Sequence, residues 1–486
     1  MTFSDTISLF SGWIWGMPFI VFCLGVGFYF SCRTRFLQLR YIKRMIKMLL
    51  QGKSSASGIS SFQAFTLALS GRIGTGNIAG VATAIAFGGP GAVFWMWVIA
   101  FLGAGTAYIE SSLAQIYKEK IDGNYRGGPA FYILKGLKNK AFATAFAIVT
   151  IVAMGLLLPG VQSNAICDAF NNSFEIDPRI SAGIIVLLLA LIIFGGVKRI
   201  ARVGEIAIPF MAIGYVLVIA VILLLNYQLI PSVFFLIVKS AFGFEAAFSG
   251  IVGAAISMGV KRGIFSNEAG QGSGAHAAAA CEVTHPAKQG LVQAFSVYID
   301  TWLVCSATAF VILISGTYRV YDGSLDNVIF TGKGMIETVT TFGSAYTQLA
   351  VDKTIPGFGS AFVAIALFFF AFTTILSYYF QSETNVYFLF RKEKTASYMI
   401  NLLRIAFLFV TYFAAINTMT LAWNMADIGV GMMAWLNLIA IMLLQRVALK
   451  VFHDFEEQSK FGIKDPVFRP EKLGIENTEE WNAKTS

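Results

Sequence analysis

Gly71-Arg72-Ile73-Gly74-Thr75-Gly76-Asn77-Ile78-Ala79-Gly80 interrupts an apolar stretch long enough to cross a bilayer. A spanning helix ordinarily carries leucine, isoleucine, valine and phenylalanine at such depth. Here stand four glycines, a threonine, an asparagine and an arginine. Backbone surrounded by hydrocarbon must satisfy its own hydrogen bonds, so irregular structure survives there only inside protein or beside a watery cavity. A Gly-x-Gly-Asn break in a transmembrane helix leaves free carbonyls on one half-helix and free N–H groups on the other. Such a break is able to hold a cation and a carboxylate side by side. That is the chemistry of a secondary carrier for a small zwitterion.

The composition supports a membrane setting. Of 486 residues 56% are hydrophobic and only 13% charged, whereas soluble domains carry about 25% charged residues. The net charge of +9 does not indicate nucleic acid, because the basic residues recur in short clusters between apolar runs. The five cysteines, Cys23, Cys32, Cys167, Cys281 and Cys305, are scattered without CxxC or histidine at ligand spacing, so neither disulfides nor a metal centre is indicated. The first apolar run, near Trp13 to Phe30, lacks a basic leader and a small-residue cleavage site and reads as a retained helix.

A window of about 20 residues gives about eleven spans, beginning near Gly12, Phe62, Ala92, Ala141, Ile180, Gly204, Ser249, Gly290, Gly359, Met399 and Asp427. Lysine and arginine collect in alternate loops. The first holds Arg33, Arg35, Arg40, Lys43, Arg44, Lys47 and Lys53, and the second holds Lys118, Lys120, Arg126, Lys135, Lys138 and Lys140. Lys198, Arg199 and Arg202 follow, then Lys288, then Arg391, Lys392 and Lys394. The positive-inside rule therefore places the N-terminus outside and the C-terminus in the cytoplasm. The chain divides into an N-terminal helix and basic loop (1–60), a first half (61–228), a second half (229–448) and a charged tail (449–486). Each half opens on an interrupted span, the second through Gly263-Ile264-Phe265-Ser266-Asn267-Glu268-Ala269-Gly270. An odd offset of five spans sends the two in opposite directions, the pattern of an inverted-repeat transporter.

Several residues are candidates for chemistry. The carbonyls of Ser70 and Ile73 are placed to ligate Na⁺, and the amides of Gly74, Thr75 and Gly76 to bind a carboxylate. Asn77 adds a side-chain oxygen. Close helix packing through small residues is the alternative. Arg72 needs a partner at depth, and Glu110, Glu268 and Asp300 are the candidates. The second break offers Phe265, Ser266 and Asn267 for a substrate ammonium, although Lys261 and Arg262 just before it also read as the end of a span. Thr373 and Thr374 either supply hard oxygens to Na⁺ or bond back to their own helix. Gln162 is equally suited to substrate contact and to joining helices. No Ser-His-Asp spacing, P-loop or GxSxG motif supports an enzyme.

The stretches GRIGTGNIAGVATAIAFGGPGAVFWMW, DGNYRGGPAFYI and GVKRGIFSNEAGQGSGAHAAA, with HPAKQGLVQAFSVYIDT after them, resemble the alanine/glycine:cation symporter family. The resemblance runs from about Gly12 to Arg446. It implies an all-α membrane protein with the 5+5 inverted repeat of the bacterial leucine transporter, preceded by one extra helix. It implies substrate contacts from Thr75, Gly76 and Asn77, with Gln162, Phe265, Ser266 and Asn267 around them. It further implies a Na⁺ site from the Ser70 and Ile73 carbonyls and the Thr373 and Thr374 hydroxyls. Where the family often continues Gly-Trp-Ser-Tyr-Tyr-Gly-Glu, this chain reads Ser377-Tyr378-Tyr379-Phe380-Gln381-Ser382-Glu383, so Tyr378 takes the tryptophan position. The expectation is Na⁺-coupled uptake of a small neutral amino acid, alanine or glycine, across the bacterial cytoplasmic membrane. Serine or glutamine as substrate, a proton-coupled carrier using Glu268 or Asp300, and a channel or sensor that kept the fold are the alternatives.

Overall fold

The computed structural model describes residues 3–49, 58–336 and 342–482; Lys53 of the first basic loop lies outside them. Helix dominates, and the strands among the described residues are two short hairpins. One pairs β1 (Glu119–Ile121) with β2 (Asn124–Arg126), and the other joins Arg319–Tyr321 to Val328–Thr331.

The helices follow the sequence punctuation. α1 (Phe3–Ile14) and α2 (Met17–Arg33) are separated at Trp15-Gly16, with a proline in the first turn of α2. α3 (Ser61–Arg72) opens on a capping box in which Ser60 and Gln63 satisfy each other's backbone amides. After the first break come a π-helical turn (Gly76–Gly80) and α4 (Val81–Gly88). α5 (Gly91–Ile116) leads into the β1–β2 hairpin and α6 (Pro129–Gly136). α7 (Lys140–Val152), α8 (Leu158–Phe174), α9 (Pro178–Ile193) and α10 (Gly196–Leu225) complete the first half. The second half contains α11 (Val252–Asn267) and α12 (Ser273–Ala279), which flank the second break. α13 (Pro286–Val297) and α14 (Ser306–Ser315) are joined by a π-helical stretch, Tyr298–Cys305. α15 (Gly359–Leu389), α16 (Glu393–Ala415), α17 (Met419–Leu443) and α18 (Gln445–Lys460) follow.

Among the described residues, eight helices are long and apolar enough to span a membrane unaided, or nine if a pair bent by 47° counts as one. The shortfall from about eleven has a local cause. The expected spans at Phe62 and Ser249 are divided by breaks, and that at Ile180 is only 16 residues long. Large apolar side chains such as Leu187, Leu191, Phe210 and Leu217 point outward, while Arg72, Glu110, Glu268 and Asp300 are buried. A molecule apolar outside and ionic within suits lipid as its solvent.

The two broken helices lie antiparallel against each other, break to break. A Cβ placed on Gly88 would meet Ala255 and Met258, one on Gly76 would lie 3.0 Å from the Ser266 Cα, and one on Gly274 would lie 2.6 Å from Arg72 Nη2. Rising numbers on one helix thus meet falling numbers on the other. α5 and α13 flank this pair, whereas α7, α8 and α16 gather on α15. The ends carrying the β1–β2 hairpin, α18 and the tail share one side, called here the basic face. The charged tail is not a simple extension: His453 lies within α18, and the residues beyond it fold back onto that face.

Close approach through small residues holds this arrangement. A Cβ on Gly259 would sit 2.5 Å from both the Ala92 carbonyl oxygen and the Trp95 Cβ, whereas one on Gly253 would meet nothing. Gly259→Ala should therefore lower the melting temperature of the detergent-solubilised protein by several degrees, while Gly253→Ala leaves it unchanged or raises it. Equal melting of the two variants would show that the contact of α11 with α5 is not tight.

Candidate functional site

At the first break, Ile73 turns extended (φ −75°, ψ 92°), and helical hydrogen bonding stops. Four of the freed groups have specific side-chain partners. The Gly74 amide donates to Asn77 Oδ1 at 2.9 Å, and the Thr75 amide donates to Gln162 Oε1 of α8 at 3.0 Å. On the carbonyl side, the Thr374 hydroxyl of α15 lies 2.8 Å from the Ser70 oxygen and 3.2 Å from that of Ile73. It is also 2.9 Å from the Phe370 oxygen of its own helix. The structure thus brings Ser70, Ile73 and Thr374 together around one point. Thr373 is placed otherwise: its hydroxyl bonds the Phe369 and Phe370 carbonyls at 2.9 and 3.0 Å, within its own helix.

Gln162 is shared between the break and Tyr378, whose hydroxyl accepts from Nε2 at 3.4 Å. Its Oε1 is the acceptor of the Thr75 N–H. A Cβ on Gly74 would lie 2.5 Å from the Thr374 Oγ1 and 2.9 Å from this Gln162 oxygen, so only glycine leaves both within reach. Gly76 plays the corresponding part towards Ser266.

Asn77 and Ser266 converge on the Asp300 carboxylate. Asn77 Nδ2 donates to Asp300 Oδ1 at 2.7 Å, and Ser266 Oγ donates to both Asp300 oxygens at 3.1 and 3.0 Å. The Thr301 hydroxyl adds a bond of 2.7 Å, and Cys305 Sγ lies 3.3 Å from Asn77 Nδ2. Asp300 and Thr301 project from the π-helical stretch, which re-aims them at the two breaks. Asn267 turns back on its own break, accepting from the Ala269 amide at 3.0 Å and donating to Thr301 at 3.3 Å.

Among the described residues Arg72 forms no ion pair within 4.0 Å, although Glu268, Glu110 and Asp300 all act on it electrostatically. Its Nη1 donates to the Gln293 carbonyl at 3.1 Å. Glu110 instead closes the second break, accepting from the Gly272 amide at 3.1 Å and Asn437 Nδ2 at 2.8 Å. Glu268, at φ +54°, accepts from Ser273 Oγ at 2.9 Å.

The site is closed from both ends, and Thr75, Asn77, Gln162, Phe265 and Tyr378 are all buried. Away from the basic face, Phe265 packs on Trp423 with ring centroids 4.9 Å apart, and Arg262 stacks on Trp423 at 4.4 Å. Arg262 grips Asp427 with two bonds of 3.0 and 2.8 Å, and Lys261 joins at 2.6 Å. Lys261 and Arg262 therefore belong to an ionic closure rather than to a basic loop. Towards the basic face, Arg126 of the hairpin pairs with Glu383 of α15 at 3.2 Å. A Cβ on Gly128 would meet the His276 ring at 2.7 Å, and Asn385 Nδ2 lies 2.9 Å from that ring. Sequence reading missed both closures. Asp427 and Glu383, charges inside apolar spans, were the available signal; Trp423 gave none.

A model of the sodium:alanine symporter family matches residues 1–470. The chain is 54% identical, over 478 residues, to the putative sodium/proton-dependent alanine carrier protein YrbD of Bacillus subtilis, covering 98% of this chain and 97% of that one. It is 51% identical over 440 residues to the sodium/proton-dependent alanine carrier protein of Bacillus sp. (strain PS3), covering 90% and 97%. Among solved structures, the manganese transporter of Eremococcus coleocola superposes with a TM-score of 0.50 over 87% of this chain and 94% of that one. At 13% identity that likeness concerns the fold alone. With a family model along nearly its whole length and relatives more than half identical to it, this chain belongs to the sodium:alanine symporter family, whose members are membrane transporters and not enzymes.

Proposed function

We propose that this chain carries alanine, and with it glycine, into the cell together with Na⁺ by alternating access across the cytoplasmic membrane. The observation that carries the reading is the first break itself. One turn of interrupted backbone offers an amide already holding a carboxylate-like oxygen, at Thr75, beside two carbonyls already gathered by a hydroxyl, at Ser70 and Ile73. Antiparallel packing of the two broken helices favours a 5+5 inverted repeat after one extra helix. The recurring basic loops favour an outside N-terminus and a cytoplasmic basic face.

In this mechanism the substrate carboxylate replaces Gln162 Oε1 on the Thr75 amide, with Gly74 and Gly76 allowing the backbone to approach. Phe265 and Tyr378 bound the space beyond Cα, which excludes leucine-sized side chains by overlap. Na⁺ takes the Ser70 and Ile73 carbonyls and the Thr374 hydroxyl, whose lone pairs turn to the ion as its proton turns away. Substrate and ion then stabilise the same turn of backbone, and each favours the other's binding. Asp300 supplies a fixed negative charge where both breaks converge. Ringed by Asn77, Ser266 and Thr301, it suits a second coupling cation. The sodium/proton-dependent names of the relatives keep a proton as the alternative occupant there.

Labelled alanine uptake into proteoliposomes tests the reading directly. An inward Na⁺ gradient should concentrate alanine, and an inward proton gradient without Na⁺ should not. Concentration driven equally by protons alone would replace Na⁺ with a proton carried on Glu268 or Asp300, and equilibration without concentration would remove the carrier reading.

Thr374→Ala should raise the sodium concentration for half-maximal uptake at least about tenfold, equivalent to about 1.4 kcal/mol. Thr373→Ala should leave it within about twofold, since its hydroxyl never leaves its own helix. The reverse order, measured as sodium titrations of initial rate, would exchange their roles.

Gln162→Glu places a carboxylate where the substrate's own is proposed to sit. Uptake at sub-saturating alanine should fall by about two orders of magnitude with normal membrane expression, because like charges exclude each other in a low dielectric. Uptake close to that of the unmodified protein would move the carboxylate site away from Thr75.

A further inference from the structure

Beyond α18 the chain runs across the basic face and ends in an aromatic anchor. Phe468 donates its amide to the Thr284 carbonyl at 2.9 Å, just before α13, and Asp465 pairs with Lys288 in the first turn of that helix. Farther on, Asn477 Nδ2 donates to the Lys135 carbonyl at 3.0 Å, and Glu479 pairs with the Lys135 ammonium at 2.5 Å, both on α6. Glu480 accepts from the Lys120 amide of the β1–β2 hairpin at 3.1 Å. Trp481 is buried, its indole N–H donating to the Gln115 carbonyl at the end of α5 at 2.9 Å. Phe468 packs edge-on against that indole with centroids 5.0 Å apart, and the Lys118 ammonium lies 5.2 Å from its ring.

These anchors fall on two groups of helices. α5 and α13 flank the broken helices, whereas α6 packs on α7, which belongs with α8, α15 and α16. The hairpin between them bears Arg126, the partner of Glu383 in the basic-face closure. Opening towards this face has to part the two groups and lift the hairpin, so the tail crosses the seam that must separate. Its holding power is moderate. The ion pairs of Glu476 with Lys138 and of Glu479 with Lys135 sit at the rim, where solvent screens them. Most of the attachment comes from the few apolar anchors. A strap of that strength is reversible.

We propose that the segment from Asp465 to Trp481 is a latch that holds the basic-face gate shut and lets go each time that gate opens. The proposal rests on the alternating-access reading for its role in transport, but the latching itself is read independently. Cys281, between α12 and α13, is the reporter: it is fully buried, and its carbonyl accepts from both Gln115 and Lys118 beneath the tail.

The test uses the full-length protein, Trp481→Ala, Trp481→Phe and a deletion of residues 462–486, each in proteoliposomes. Alkylation of Cys281 by a membrane-permeant maleimide is followed by mass spectrometry of its peptide, alongside initial rates of alanine uptake. Trp481→Ala and the deletion should alkylate Cys281 at least about tenfold faster than the full-length chain. They should also raise the maximal uptake rate at least about twofold with the alanine KM unchanged. Trp481→Phe, which keeps a buried ring, should fall between. Should Trp481→Ala misfold, the deletion decides. Cys281 alkylation unchanged in the folded variants overturns the latch. A full-length protein that takes up no alanine overturns the transport reading instead, and leaves the Cys281 comparison to judge the latch by itself.

Discussion

Everything in this molecule depends on unsatisfied backbone at the centre of a membrane. Two helices are broken where no water competes, and each freed amide or carbonyl left without a partner would be destabilising by several kcal/mol. The partners come from elsewhere in the chain: Asn77 and Gln162 at the first break, Glu110 and Asn437 at the second. The breaks are therefore over-determined by tertiary contacts. That is the condition under which irregular backbone persists and becomes a binding surface.

Setting the two breaks against each other concentrates charge as well. Glu110, Glu268 and Asp300 are buried around the single positive Arg72, which forms no direct ion pair with any of them. The carboxylates are held by amides, hydroxyls and carboxamides instead. Such an interior is short of positive charge, and a cation entering it meets an existing field without having to create its own ligands. In the proposed mechanism, coupling between ion and substrate needs no long pathway, because both bind the same few residues of backbone.

The closures at the two ends differ in chemistry. Away from the basic face, an aromatic pair lies under a bidentate Arg262–Asp427 bridge reinforced by Lys261. Removing one partner of such a buried pair leaves an uncompensated charge, which favours a definite open or closed arrangement over a partly open one. Towards the basic face, closure is made by the β1–β2 hairpin and the glycines after it, with the folded-back tail above. The first is a compact plug within the helices; the second is a layered cover drawn from two separated parts of the chain.

The membrane setting and the places of both breaks can be read from the order of residues alone. Those properties are local: apolar length, glycine and asparagine at a break, and charge inside a span all leave marks in the residues concerned. Ser70, Thr75, Gln162 and Thr374, which meet at the first break, stand out in the sequence for the same reason, each being a polar side chain in an apolar run, whereas Ile73 is marked only by its place beside the glycines. Which side chains face one another was settled by packing. Adjacent residues on a helix point about 100° apart, so one residue's rotation separates Thr374 at the break from Thr373 on its own helix's carbonyls. The engagement of Asn77 and Ser266 with Asp300, the capture of Asp427 by Arg262 and Lys261, and the return of the tail to Gln115 join residues far apart in the chain. No spacing rule records such pairings, because they are fixed by how helices pack and not by the order in which they are written.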